Sequence, residues 1–156
     1  MKRHIHLQTL SRQHHNGLLI ALLVKKGINK NAPLSVISDF IRYAWQQDLQ
    51  EHFQLEEDIL LPVLKNKPFD TALTKRLLDE HIEIRNIIDR LQAPGAVMND
   101  VETFYRLLEQ HIRFEERVYF PEAEKVLSEL ELQQVGDLLQ HKEEHNCMNY
   151  PVKFWE

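Results

Sequence analysis

EHFQLEEDILLP, at residues 51–62, is the stretch that decides the fold of this 156-residue chain. A second copy of the pattern, QHIRFEERVYFP, stands at residues 110–121, fifty-nine residues later. Both copies hold His, Glu, Glu and Pro at the same positions. Residues four apart in an α-helix lie on one face, one turn above the other, so each copy directs an imidazole and a carboxylate the same way. The two pairs are His52 with Glu56 and His111 with Glu115.

Apolar neighbours indicate where these pairs point. Leu49 and Ile59 lie near the His52 face, and Leu107 and Val118 lie near the corresponding face of the second copy. Both polar pairs are therefore predicted to point into the protein core. A buried charge or imidazole without a partner costs several kcal/mol. Two such pairs facing each other predict a metal centre, because a metal ion would satisfy all of them.

The composition is that of one folded domain, covering residues 1–156. The hydrophobic share is 43%, the charged share is 28%, and the chain has only four glycines, which favours a helical protein. A chain of this length can bury roughly 70% of its unfolded surface. The formal net charge of −5 argues against nucleic acids and anionic membranes as partners.

Three features predict a cytoplasmic location. The longest apolar run, residues 18–24, is too short to span a bilayer. The first residues lead into a polar segment without the apolar stretch of a secretion signal. A single cysteine, Cys147, cannot form an internal disulfide and fits a reducing compartment.

Helical periodicity and capping residues predict four long helices. The first should begin near Thr9 or Ser11 and run to Lys26, with Gly27 ending it. Pro33 should be the first residue of the second helix. Further expected boundaries are the end or kink of the second helix at Pro62, a cap of the third helix at Asp70, a capping box from Asn99 to Glu102, and a bend at Pro121.

The predicted fold is all-α, an up-down-up-down four-helix bundle over about residues 9–120. A short C-terminal helix, from residue 131 to about 146, and a tail that docks through Phe154 and Trp155 complete the chain to residue 156. The first and third helices each offer a histidine among apolar residues, His14 or His15 and then His81. The order His, His-x-x-x-Glu, His, His-x-x-x-Glu is that of a duplicated half-bundle.

Four imidazoles and two carboxylates make a plausible ligand set for two metal ions. A carboxylate has two oxygens and can bridge two cations, whereas an imidazole is a terminal ligand. We interpret Glu56 and Glu115 as the bridges. One ion would then take His14 and His52, and the other would take His81 and His111.

This mixture of nitrogen and oxygen ligands suits iron, manganese or zinc. Six ligands favour a dinuclear centre over a closed tetrahedral zinc site. Ferritin-like carboxylate proteins carry Glu-x-x-His instead, and no histidine here has a glutamate three residues before it. Glu57 and Glu116 are expected at a helix interface or the surface, with Arg85 pairing with one of them, so that replacing either glutamate should alter only surface or interfacial pairing.

These motifs resemble the hemerythrin-like, or HHE cation-binding, domains from residue 10 to about residue 146. The resemblance rests on LSRQH at residues 10–14, DEH at residues 79–81, and the two copies of the repeat with their Leu-Pro and Phe-Pro ends. It implies a non-haem centre of two iron ions with bridging carboxylates, and with an oxo or hydroxo bridge. It also implies an open position for a diatomic ligand such as O₂ or NO, or for peroxide.

One feature of the sequence departs from the family pattern, and a second leaves the choice of one ligand open. Oxygen-carrying members have a second histidine one turn from the first on the third helix, whereas Leu77 and Arg85 stand one turn either side of His81. Reversible oxygen carriage is therefore in doubt. The doublet His14-His15 also leaves the first-helix ligand open: Leu10 and the family pattern favour His14, but a leucine-rich run follows His15.

Three functions remain open from the sequence. The first is a binding module that senses or stores O₂, NO or iron, and we favour it because the chain lacks a conspicuous general acid and substrate pocket. The second is a di-iron oxidase, peroxidase or NO-consuming enzyme. The third is a metal-free structural or interaction bundle with a hydrogen-bonded polar core.

Overall fold

The computed structural model describes residues 2–139 and 145–156, and its regular structure within these ranges is entirely helical. Links of a few residues at 30–33, 65–70 and 93–97 join four long helices, and a short fifth helix follows. We name them in chain order: α1 spans Gln8–Asn29 after a 3₁₀ turn at Ile5–Leu7, α2 covers residues 34–64, α3 spans Thr71–Gln92, α4 covers residues 98–126, and α5 spans Glu129–Leu139.

The four long helices form the predicted bundle. α1 and α3 each pack against both α2 and α4, which places α1 diagonally opposite α3. No described helix is long and apolar enough to cross a membrane. The tail also docks as predicted: Phe154 and Trp155 are buried and contact the Phe40 ring of α2, with ring centroids 5.0 and 5.9 Å away.

Several helix ends differ from the sequence prediction. α1 begins at Gln8 and continues through Gly27 to Asn29, because Gly27 is a packing position and not a stop. A Cβ atom there would stand 2.5 Å from the Phe154 ring, so the docked tail requires glycine. The predicted capping box at Asn99 is also wrong: the helical segment begins at Met98, and the Asp100 carboxylate accepts a hydrogen bond from the backbone N–H of residue 97.

Other boundaries agree with the prediction or lie close to it. Asp70 caps α3, since its carboxylate accepts a hydrogen bond from the backbone N–H of Ala72 at 2.9 Å. Pro33 is the capping residue just before α2. The last helix begins at Glu129 instead of residue 131. Its predicted continuation over residues 140–144 lies outside the described residues, and residues 145 and 146 are not helical.

The two prolines of the repeat do not end their helices. Each follows a widened π-helical turn, Glu56–Leu60 in α2 and Glu115–Tyr119 in α4. The residue after each turn donates its N–H to the carbonyl of the glutamate five residues back. Proline has no N–H, and its ring clashes with the carbonyl four residues back in a regular α-helix. A widened turn relieves that conflict, so α2 continues to Leu64 and α4 to Val126.

Two apolar clusters occupy the two ends of the bundle. One surrounds Ile20, Phe40 and Phe104 and includes the docked tail, and the other surrounds Leu10 and Tyr119. On every long helix the predicted ligands lie near the point where one cluster ends and the other begins. The polar residues therefore form one layer across the bundle, with apolar packing above and below it.

Candidate metal centre

The structure brings the six predicted residues into that layer. All of them are at most 5% exposed, and they are the buried polar residues among the described part of the chain. Each α2 and α4 pair lies on one face at a spacing of four, as the repeat predicted. The members of the layer are His14 from α1, His52 and Glu56 from α2, His81 from α3, and His111 and Glu115 from α4.

The layer divides into two groups that share the two glutamates. In each group the potential ligand atoms lie within 4.8 Å of one another. The first group adds the imidazoles of His14 and His52 to the two carboxylates, and the second adds those of His81 and His111. These are the two histidine pairs that the sequence assigned to separate ions.

The inward-facing atoms fit a pair of cations. All four histidine Nε2 atoms and all four carboxylate oxygens of the layer are buried, and none of them has a hydrogen-bond partner outside the layer among the described residues. Within the layer, Glu56 Oε1 lies 3.4 Å from His52 Nε2 and 3.3 Å from His81 Nε2. Glu115 Oε1 lies 3.7 Å from His14 Nε2 and 2.5 Å from His111 Nε2. Leaving a buried polar atom unpaired costs about 1–3 kcal/mol. Eight buried nitrogen and oxygen atoms converge in this layer without partners outside it among the described residues. A pair of metal ions would bind them.

The outward nitrogen of every imidazole is held by a side chain from a different helix. His14 Nδ1 donates to Glu116, His81 Nδ1 to Glu57 and His111 Nδ1 to Glu80, at 2.7–2.8 Å. His52 Nδ1 donates to Oε1 of Gln13 at 2.7 Å. A proton held on Nδ1 leaves the Nε2 lone pair facing the layer. Such outer partners orient metal-binding histidines and raise their basicity.

An arginine backs each of the three carboxylates. Arg3 contacts Glu116 at 3.0 Å and also binds its backbone carbonyl, Arg85 contacts Glu57 at 2.7 Å, and Arg76 contacts Glu80 at 3.2 Å. The pairing of Arg85 with one of the second glutamates of the repeat was predicted. Each arginine therefore restrains the carboxylate that orients a histidine.

Aromatic rings fix the faces of two imidazoles. The Phe53 ring stacks on His81 with centroids 4.0 Å apart and planes 2° apart. Phe120 stacks on His14 with centroids 5.2 Å apart and planes 12° apart. The rings limit rotation of these imidazoles, so their nitrogen atoms keep their direction without a ligand.

Without metal, burial is outweighed by the charges of the layer, which raise the pKa of His14, His81 and His111 and favour their protonated forms. Burial alone would lower the pKa of His111. The nearby Glu115 carboxylate outweighs that effect and raises the pKa to about 9. Burial also lowers the pKa of His14, while contacts with Glu115 and Glu116 raise it well above its usual value. For Glu116, burial raises the pKa, and the hydrogen bond from His14 lowers it to about 2. A metal ion would displace protons from this layer, as metal ligands must be deprotonated.

The structure decides two questions that the sequence left open. His14 belongs to the layer, whereas His15 is exposed and lines a surface cleft. Leu77 packs in the apolar cluster and Arg85 binds Glu57, so neither replaces the second third-helix histidine of oxygen carriers.

Sequence reasoning missed the outer partners of the histidines. Glu57 and Glu116 do face away from the inner layer and lie at helix interfaces, as expected, but each also accepts a hydrogen bond from a histidine of the layer, which the sequence did not indicate. Gln13 and Glu80 were not singled out as site residues. Their position in the sequence could have indicated this role, because each directly precedes a histidine of the layer. A residue adjacent to a ligand can reach the neighbouring helix.

Comparison with known protein families agrees with this geometry. The family model described as "Hemerythrin HHE cation binding domain" matches residues 6–123. That match covers all four long helices up to residue 123 and includes every residue of the layer. The chain belongs to the hemerythrin HHE cation-binding family. A member of this family with a buried His/Glu layer is a metal-binding helical bundle.

Two other comparisons gave no match. A search of curated proteins found none similar to this chain, and a search of solved structures also found none. The family model places this chain in the hemerythrin HHE family, and the buried layer agrees with a cation-binding domain.

Replacing Glu116 with alanine is expected to weaken metal binding about 10–100-fold, the usual effect of removing an outer partner of a metal-binding histidine. The substitution removes the acceptor of the His14 Nδ1 proton. Zinc affinity, measured by competition with a chelator of known affinity, would show the change. Glu122→Ala is the matched control, because Glu122 lies on the same helix and, within the described part of the chain, forms an ion pair with Lys125 at the surface. Equal affinities for both variants would contradict the orienting role.

Proposed function

We propose that this hemerythrin-family protein holds two iron ions and uses them to bind or sense a small ligand such as O₂ or NO, or to store iron. The observation that supports this most directly is a set of eight buried nitrogen and oxygen atoms that lack partners outside the layer among the described residues and form two groups that share both glutamates. Glu56 and Glu115 would hold both ions. The terminal ligands would be His14 and His52 for one ion, and His81 and His111 for the other.

Iron agrees with the donors present. Each group offers two imidazole nitrogens and carboxylate oxygens. Two histidines with carboxylate and remaining open positions are typical of non-haem iron sites that react with oxygen. When bound there, iron would supply reversible ligand binding and electron transfer. The same donors can accept zinc or manganese, so metal identity has to be measured.

Burial favours a diatomic ligand over a larger substrate. The donor atoms of the layer are fully enclosed, and the Phe53 and Phe120 rings stack against two of its imidazoles. Only a small molecule can enter such a layer without a large rearrangement. A surface cleft of about 370 Å³ is lined by His52 and by none of the other residues of the layer, so it does not place a larger substrate against both proposed ions. We therefore propose a binding module, and the di-iron oxidase, peroxidase or NO-consuming enzyme is the alternative.

Metal analysis of protein purified from iron-supplied cells tests the proposal. We expect close to two iron ions per chain and an optical change when O₂ or NO is added to the reduced protein. Zinc alone would refute the redox function and leave a metal-binding bundle. A folded protein without transition metal would instead support the structural or interaction bundle. Consumption of peroxide or NO over many turnovers would establish the enzyme.

We also propose that the protein acts in the cytoplasm. The single cysteine supports this location, because Cys147 is buried and a lone thiol is compatible with a reducing compartment. Cell fractionation would test it, and recovery of the protein from an extracytoplasmic fraction would refute it.

A further inference from the structure

The outer partners of the histidines follow the internal repeat with one exception. The residue before His14 accepts a hydrogen bond from His52 in α2. The residue before His81 accepts one from His111 in α4. These two positions correspond in the repeat, yet the first is Gln13 and the second is Glu80. The remaining outer partners, which follow the shared glutamates, are both carboxylates. One imidazole of four, that of His52, is therefore held by a neutral amide.

The difference between Gln13 and Glu80 is one of charge and not of geometry. Their hydrogen bonds to histidine Nδ1 are 2.7 and 2.8 Å long. A carboxylate acceptor strengthens the donor's imidazole as a ligand more than an amide does, because hydrogen bonds to an ionised acceptor are about twice as strong. Arg76 compensates Glu80 only in part, since it contacts the other carboxylate oxygen and its side chain is half-exposed and screened by water.

The asymmetry falls on one metal position. The group with His81 and His111 has carboxylates behind both imidazoles. The group with His14 and His52 has one carboxylate and one amide. Building on the proposed two-ion centre, we propose that the two positions are unequal: the His81–His111 position binds metal more tightly and fills first, and the His14–His52 position holds the exchangeable ion.

A surface cleft lies beside the same position. It encloses about 370 Å³ and is lined by Gln13, Asn16, Asp48, His52 and His145, among others. His52 is 5% exposed, whereas His81 and His111 are fully buried. Solvent, a chelator or an incoming ion therefore approaches the centre on the side of the amide-held histidine. The His14–His52 position is therefore both the weaker and the more accessible of the two. A metal position that exchanges its ion needs both properties.

Stepwise zinc binding to the metal-free protein tests the inequality, because zinc has no redox chemistry. In the wild type the first step belongs to the His81–His111 position. Gln13→Glu should strengthen the second step about 10–100-fold and leave the first unchanged, and Glu80→Gln should weaken the first step by a similar factor and leave the second unchanged. The variant that carries both substitutions should recover the strong first step, now at the His14–His52 position.

Two variants control for a general effect of charge. Gln50→Glu adds the same charge at an exposed position two residues from His52. Asp79→Asn removes one charge at a half-exposed position next to Glu80, where Asp79 pairs with Lys75. Both should bind zinc like the wild type. Circular dichroism of every metal-free variant verifies that the bundle is folded.

The possible outcomes separate this inference from the proposed function. Equal effects of Gln13→Glu and Glu80→Gln on both steps would overturn the inequality and keep the two-ion centre. A double variant that retains the weak first step of Glu80→Gln would overturn it as well. A folded wild-type protein that binds no zinc and no iron would overturn the proposed function itself.

Discussion

Replacing Glu115 with glutamine is expected to leave the protein nearly without bound metal. Its carboxylate belongs to both ligand groups, so one substitution removes a charged ligand from both proposed ions. Glutamine has almost the same shape, so the loss would come from charge and not from a cavity. The four converging imidazoles would then face only one carboxylate, that of Glu56. Glu56→Gln should have the same effect, because the two glutamates are equivalent in the repeat.

The adjacent glutamate provides the control for this experiment. Glu116→Gln keeps an oxygen that can accept from His14, in the way that Gln13 accepts from His52. That variant should retain most of its metal under saturating conditions. The two variants should differ because consecutive helical residues point about 100° apart, so that Glu115 faces the layer and Glu116 does not. Metal content per chain, measured alongside helicity, decides the matter. Equal losses from the two variants would refute the ligand assignment.

The inner layer could be read from the sequence because it depends on one helix at a time. His52 and Glu56 share a face through their spacing alone, and so do His111 and Glu115. The apolar residues around them indicated the direction of that face. Buried polar groups need partners, so a convergent set of six was the remaining solution. The up-down bundle followed from four periodic segments with short links.

The outer partners could not be read in this way because they join different helices. Whether Glu116 reaches His14 depends on the rotation of α4 relative to α1, which no single segment specifies. The π-helical turns at Glu56 and Glu115 were missed for a related reason. The expectation at Pro62 was a kink or an end of the helix, whereas packing of the following residues in the apolar cluster favours a widened turn that continues the helix.

Gly27 is a second case in which a contact with a distant segment could not be predicted from the local sequence. Glycine near a helix end usually marks the end, and the sequence favoured that interpretation. The structure instead uses its missing side chain to admit Phe154, a residue more than a hundred positions later. A local pattern cannot distinguish a stop from a close contact with a distant segment.

Metal removal is expected to lower the melting temperature by roughly 20 °C. The ligands lie on four separate helices, so an ion bound to the folded state only would stabilise the whole bundle. A free metal concentration a thousand times the dissociation constant contributes about 4 kcal/mol per ion, or roughly 8 kcal/mol for two ions. In a domain of this size each kcal/mol shifts the melting temperature by about 2–4 °C.

The Glu115→Gln variant turns this expectation into a specific test. Thermal unfolding of both proteins would be followed by circular dichroism, with added zinc and with excess chelator. The wild type should melt far lower in chelator, whereas the variant should melt at the same temperature in both conditions, because it binds little metal. A wild-type melting temperature that stays constant while metal analysis shows complete removal would mean that the layer is stable through its own hydrogen bonds and charges. The metal would then not hold the four helices together, and the structural-bundle alternative would gain support.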